Sequence, residues 1–225
     1  MSGHLYASVL GLVQRKPPIV RVAALSGRYA PHAGDVIVGI VTDVQGSFWL
    51  LDIGAARWAP LHMTGTPWKI DFGETGEHLR VGDSVVVAVE QIENTGRIGV
   101  TMIGEGLGKL EGGTLVTVSP AKIPRVIGKG GSMIATLTHA TGCKIVVGQN
   151  GRIWVDGPLE GVDRVRASLE LIELEGQRRG LTERVAELLA SSGRGGPGPA
   201  HPPPPDADAG DEGGVPVDSE SFPEQ

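Results

Sequence analysis

Apolar and polar positions follow one rhythm in the middle of the chain and another after it. Between Gly34 and Met102 they alternate over short runs, which predicts strands near 36–44, 48–53, 57–63, 84–91 and 97–102. Gln45-Gly46 and Asn94-Thr95-Gly96 supply tight hairpin turns. Residues 64–82, with Pro67, Gly73 and Gly76, form a long connection between the third and fourth strands. Five short strands with this break suit a small Greek-key barrel of the OB type. Strand parity puts Phe48 and Asp52 on the outer face and Trp49, Leu51 and Ile53 in the interior. Trp49, Trp58 and Trp68 are read as barrel core or loop anchors.

Before the barrel, Leu5 to Val13 and Ile19 to Leu25 read as two strands joined by a turn at Arg15-Lys16-Pro17-Pro18. Two strands alone are not a stable domain, so they must pack on something else. After the barrel, Gly104, Gly106 and Gly108 mark a flexible joint, and the period changes to β-α-α-β-β-α. Thr114 to Val118 alternate as a strand. A short helix starts near Lys122 with Pro124 in its first turn, where proline is tolerated. Ser132 to Thr141 is a helix stopped by Gly142. Lys144 to Val147 and Arg152 to Asp156 are strands joined by Gly148-Gln149-Asn150-Gly151. The last helix carries an apolar stripe of Val162, Val165, Leu169 and Ile172, and Gly176 and Gly180 interrupt it before Leu181 to Ala190 resumes. From Ser191 onward Gly, Pro, Asp and Glu dominate, including Pro202 to Pro205 in a row, a composition that predicts disorder. The fold class is multidomain α+β. The expected parts are an N-terminal β domain over 1–31, a barrel over 32–105, an α+β domain over 110–190 and a tail over 191–225.

Charge changes the picture once it is divided by region. The 225 residues carry a formal charge of −6. Residues 191–225 hold one Arg and seven acidic residues, which accounts for all of it and leaves 1–190 neutral. Within 106–157, Lys109, Lys122, Arg125, Lys129, Lys144 and Arg152 face only Glu111 and Asp156, a local excess of +4. The longest apolar run is about six residues, around Val36 to Val41, too short to span a membrane. The N-terminus shows no basic segment followed by an apolar stretch, so no secretory signal is expected and the location is read as cytoplasmic. The single cysteine, Cys143, excludes a disulfide framework or a cysteine-based zinc ribbon and is read as a small buried thiol.

The basic excess surrounds Ile127-Gly128-Lys129-Gly130-Gly131-Ser132-Met133-Ile134, an I-G-x-x-G-x-x-I pattern between two helices. Gly128 and Gly131 lack a Cβ, so a charged backbone can lie against the loop. The helix that starts near Gly131 points free N–H groups and its positive dipole end toward that position. Lys129 adds a mobile cation, and Gly130, Lys122 and Arg125 complete the candidate phosphate-gripping set. A nucleotide P-loop is excluded, because Gly130 follows Lys129 where Ser or Thr is needed. The six histidines are scattered singly, and no acid pair or Ser-His-Asp set occurs at useful spacing. No catalysis, cofactor or metal is assigned.

The glycine loop and its element order resemble a type I KH domain, which implies a grip on single-stranded RNA or DNA. The barrel resembles the S1 RNA-binding domain, with Gly34-Asp35-Val36-Ile37-Val38-Gly39 as its opening strand and Val81-Gly82-Asp83-Ser84-Val85 at its fourth. That resemblance places an RNA-facing patch on Phe48, His62, Glu93 and Arg97. Gln45 stands where many S1 domains carry a second aromatic, which implies weaker stacking. Taken together, the layout over about 1–190 resembles the RNA-binding cap subunit of the archaeal exosome. The matching residues are Leu5 to Gly11, Tyr29-Ala30-Pro31 with Gly34-Asp35, Trp49 with Asp52-Ile53, and Val147 to Val155 with its G-x-N-G turn. The intact glycine loop favours the archaeal form. The resemblance implies a non-catalytic protein, three copies of which sit on a hexameric ring of RNase PH-like subunits and feed it single-stranded RNA. Gly3-His4 immediately precedes Leu5 here, so the N-terminal domain is expected to lack its first strands. The alternative is a transcription-elongation factor of the S1-then-KH kind. Such factors carry two KH domains of the other topology, and only one fits before the tail.

Overall fold

The computed structural model describes residues 6, 11–24, 27–175 and 180–191. The start of the first expected strand, the interruption at Gly176 and the tail from 192 on lie outside the described residues. A two-stranded sheet comes first, β1 (Gly11–Lys16) against β2 (Ile19–Ala24). The expected turn is thus shorter than its sequence suggested. Arg15 and Lys16 pair with Val20 and Ile19, and only Pro17-Pro18, which lack N–H donors, stand outside the ladder.

Five strands close the barrel: β3 (Val36–Val44), β4 (Phe48–Asp52), β5 (Ala59–His62), β6 (Ser84–Ile92) and β7 (Ile98–Thr101). Their order is β3-β4-β5-β7-β6, and β6 returns to pair with β3. β5 and β7 run parallel while the other neighbours are antiparallel. The alternation seen in sequence is the burial pattern. Trp49, Leu51 and Ile53 fill the interior with Ile37, Leu61, Val85 and Val87. The long β5–β6 connection carries a 3-10 turn at Met63–Gly65 and a single-turn helix, α1 (Thr75–His78). Tyr29 also enters the barrel core, and its hydroxyl donates to Asp35 Oδ2 at 2.6 Å, an oxygen that also accepts the His32 N–H at 2.9 Å. This contact accounts for the Tyr-Ala-Pro and Gly-Asp pairing in the sequence.

The expected flexible joint is partly ordered. Gly108–Leu110 forms β8, which pairs with Ser84 to Val86 of β6. Its reason is an uncovered edge, because β7 pairs with β6 only from Ala88 onward. Lys109 Nζ bonds Asp83 Oδ2 at 2.7 Å, and the Arg80 N–H donates to the same oxygen at 2.8 Å, which explains the acid of the V-G-D segment.

The last domain has a three-stranded antiparallel sheet in the order β10-β11-β9: β9 (Thr114–Thr117), β10 (Lys144–Val147) and β11 (Arg152–Asp156). One sheet face is covered by α2 (Ile123–Ile127), α3 (Ser132–Thr141), α4 (Leu159–Glu175) and α5 (Leu181–Ser191) around one core. A 3-10 turn at Pro120–Lys122 leads into α2. The α4 stripe of Val162, Val165, Leu169 and Ile172 is buried, and α5 adds Leu181, Val185 and Leu189. Cys143 is a buried free thiol.

The two domains meet at the β10–β11 turn. β4 pairs with β3 only from Ile40 onward, so Val36 and Val38 direct N–H and C=O groups to an empty edge. The turn fills it. The Gln149 N–H donates to Val36 O at 2.9 Å, and Gln149 Oε1 accepts the Val36 N–H at 2.6 Å. Asn150 Oδ1 accepts the Val38 N–H at 3.2 Å, while its Nδ2 donates to Val38 O at 2.8 Å and to Ile53 O at 2.9 Å. Asn150 is buried, and a Cβ on Gly148 would stand 2.7 Å from Val38 N, so the approach requires glycine there. Beside it, Arg152 Nη2 donates to Asp52 Oδ2 at 2.6 Å.

Asn150→Ala strands three backbone groups and is expected to lower the unfolding free energy by about 3 kcal/mol, measured by urea denaturation. Burial pushes the Asp52 carboxyl up, but the Gly54 N–H and Arg152 outweigh it and hold the group below its usual range. The stability it contributes is present above the unfolded carboxylate range and is lost as pH falls through the lower folded value. Asp52→Asn should therefore flatten the acid limb of a stability-against-pH curve.

Candidate nucleic-acid interface

The glycine loop is built by the ends of two helices. α2 closes with the Gly128 N–H bonded to Pro124 O at 3.0 Å, and Lys129–Gly131 forms a 3-10 turn that runs into α3. Val126 and Met133 anchor the two sides in the core, while Ile127 and Ile134 stay half-buried at the surface. The four loop residues divide into two kinds. Gly128 sits at φ 74°, and a Cβ there would lie 2.6 Å from Met133 N. Gly130 also has positive φ, at 61°, but open space surrounds it. Lys129 and Gly130 are exposed, whereas Gly128 and Gly131 are half-buried. Beyond Gly131 and Ser132, the first-turn N–H groups of α3 have no carbonyl behind them within the helix. Gly128, Lys129, Arg125 and Ser132 line a cleft of about 500 Å3 whose other wall is Gly180–Glu183, where α5 begins.

The basic residues of 106–157 do not all face this loop. Arg152 is held by Asp52 and Lys109 by Asp83, both at the barrel, and Lys144 lies 5.7 Å over the Trp154 ring. Lys122, Arg125 and Lys129 make no ion pair among the described residues. Of these three, Arg125 and Lys129 stand at the cleft, and Lys122 immediately precedes α2.

On the barrel, Phe48 and His62 stand directly opposite each other on β4 and β5, with Phe48 half-buried and His62 exposed. His62 Nδ1 accepts the Thr64 N–H at 3.3 Å, so the ring is oriented by the 3-10 turn that follows it. Arg97 is not beside them. β5 and β7 are in parallel register with Leu61 opposite Val100, which puts Arg97 level with Trp58 at the far end of β5. Glu93 turns to Thr95, whose Oγ1 donates to Glu93 Oε2 at 3.0 Å.

The reading of the three tryptophans holds for two. Trp49 is fully buried and donates from Nε1 to Leu79 O at 3.2 Å. Trp68 packs on the barrel core and stacks on His78 at 5.1 Å. Trp58, by contrast, is 62% exposed, because it precedes β5 with the outward parity of Pro60 and His62. That parity was available in the sequence. Phe72, 80% exposed, covers Gly46 at the β3–β4 turn. It comes from the long loop, where no periodicity marks it.

Fold and surface define a two-module chain of the S1-and-KH class. A family model for the S1 domain of RRP4 matches residues 28–74, and one for the KH domain matches 113–161. The exosome complex component Rrp4 of Thermoplasma acidophilum is 39% identical over 184 residues, covering 82% of this chain and 78% of that protein. That of Methanosarcina mazei is 42% identical over 185 residues, covering 82% and 71%. A crystal structure described as an exosome complex RNA-binding protein superposes with a TM-score of 0.68 at 34% identity, covering 75% of this chain and 98% of that one. The chain belongs to the exosome Rrp4 family.

The glycine loop makes separate demands at its two kinds of position. Gly128→Ala should cost about 2 kcal/mol or more in urea unfolding, because backbone strain and the Met133 contact both oppose it. Gly130→Asn should leave the midpoint nearly unchanged, since Asn tolerates that backbone region.

Proposed function

We propose that this chain is a non-catalytic RNA-binding cap of an archaeal-type exosome. It holds single-stranded RNA and guides it to a hexameric ring of RNase PH-like subunits for 3′→5′ degradation or tailing. Three copies sit on the ring, in the cytoplasm. The observation that carries this reading is the glycine loop. It offers an exposed Lys129-Gly130 tip, cations at Lys122, Arg125 and Lys129 that make no ion pair among the described residues, and the open end of α3, the chemistry of a phosphate-backbone grip. Family membership supplies the exosome context. Gly128 to Gly131, Lys122 and Arg125 hold the backbone, while Phe48, His62 and Arg97 meet bases and phosphates on the barrel. Backbone contacts dominate such binding, so it weakens steeply with salt and shows little sequence preference. The β1–β2 hairpin exposes Val13 and Val20, apolar positions suited to seating on the ring.

The test is a double substitution, Lys129→Asp with Gly130→Asp, at two exposed positions with room for the new side chains. Anisotropy with a labelled oligoadenylate at low salt should show binding at least about tenfold weaker, in line with placing two carboxylates on a phosphate path. The urea midpoint and co-purification with the ring should be retained. A wild-type chain that binds no oligoadenylate at low salt, or never co-purifies with a ring, overturns the reading.

A further inference from the structure

The barrel exposes one indole where burial would have been the rule, since tryptophan is highly buried on average. Trp58 is 62% exposed and shares the outward side of β5 with Pro60 and His62. Two arginines come close to it along the backbone, Arg57 as its chain neighbour and Arg97 from just before the next strand, β7. Arg97 is level with it by the parallel β5–β7 register. Arg57 lies over the β6–β7 turn, its Cζ 3.4 Å and its Nε 3.5 Å from where a Cβ on Gly96 would stand. Neither arginine makes an ion pair among the described residues. Of the neighbouring acids, Asp52 is paired with Arg152, and Glu93 accepts from the Thr95 hydroxyl rather than from an arginine. This end of the face therefore offers an open π surface and two cations.

We propose that Trp58, with Arg57 and Arg97, is a second base-stacking platform on the barrel. A base of single-stranded RNA lies on the indole while the two guanidinium groups hold the phosphates on either side. The inference rests on the RNA-binding reading above and adds residues to it. From the Phe48–His62 pair to Trp58 is four residues along β5, roughly 13 Å at strand rise, so one extended RNA strand reaches both. Charge selects the occupant. Two arginines that make no ion pair among the described residues, near an exposed indole, suit a polyanion with π faces.

The experiment uses the full chain and a labelled oligoadenylate. Trp58→Ala should weaken binding about tenfold, the effect of losing one stacked base. Trp58→Phe should stay within about twofold, because a smaller ring still stacks, yet the fluorescence quenching that RNA causes in the wild type should diminish. Arg57→Ser should reduce the slope of log K against log salt by roughly 0.7, the value for one phosphate contact on a single strand. Unchanged RNA affinity in Trp58→Ala overturns the platform and leaves the proposed function standing. If Trp58→Ala keeps its RNA affinity but loses the ring on co-purification, the indole is a protein contact and the platform is again overturned. A wild-type chain that does not bind oligoadenylate removes both.

Discussion

The arrangement of the molecule depends on how the bare edges of two long barrel strands are covered. β3 and β6 have nine residues each, and their neighbours β4 and β7 have five and four. An unpaired strand edge presents N–H and C=O groups that must find partners when buried. On β6 the chain supplies β8, three residues of its own continuation. On β3 it supplies Gln149 and Asn150, more than a hundred residues later, whose side chains, with the Gln149 N–H, act as a short stretch of strand. A KH turn has thereby become part of the barrel wall. The Asp52–Arg152 pair beside it ties the outer face of β4 to the start of β11.

Placing Asn150 and Gln149 in the wall dictates what the KH domain can offer elsewhere. Its β10–β11 turn is occupied, which leaves the glycine loop as the part of this domain proposed to meet RNA. There the labour is divided within four residues. Gly128 is required by backbone geometry and by the nearness of Met133, and the middle pair faces solvent. A structurally constrained position and two solvent-facing ones thus sit side by side. A substitution must be chosen by position if it is to report on only one of them.

The barrel face follows the same logic of occupied and free groups. Asp52, Asp83 and Glu93 are each engaged within the protein, the first two with a basic side chain. Arg57 and Arg97 make no ion pair among the described residues, and Phe72 lies over Gly46 at the β3–β4 turn. The aromatic that Gln45 does not supply has a neighbour of the same chemistry, delivered from a loop.

Much of this was legible in the amino-acid order, for a definite reason. Period-two alternation placed the five barrel strands within a few residues and put Trp49, Leu51 and Ile53 inside, because side-chain parity is a local property of a strand. The I-G-x-x-G-x-x-I pattern and the apolar stripe of α4 were equally local. The sequence could not apportion its charges: Lys109 and Arg152 counted toward a basic patch, yet each is paired with a barrel aspartate far away in the chain. Nor could it see that Gly108–Leu110 is a strand, that Trp58 stays uncovered or that Phe72 lies over Gly46. Those outcomes depend on which edge is empty and which residue arrives there. Such long-range pairing leaves no period in the sequence, and only the closed barrel with the KH turn set against it decides the matter.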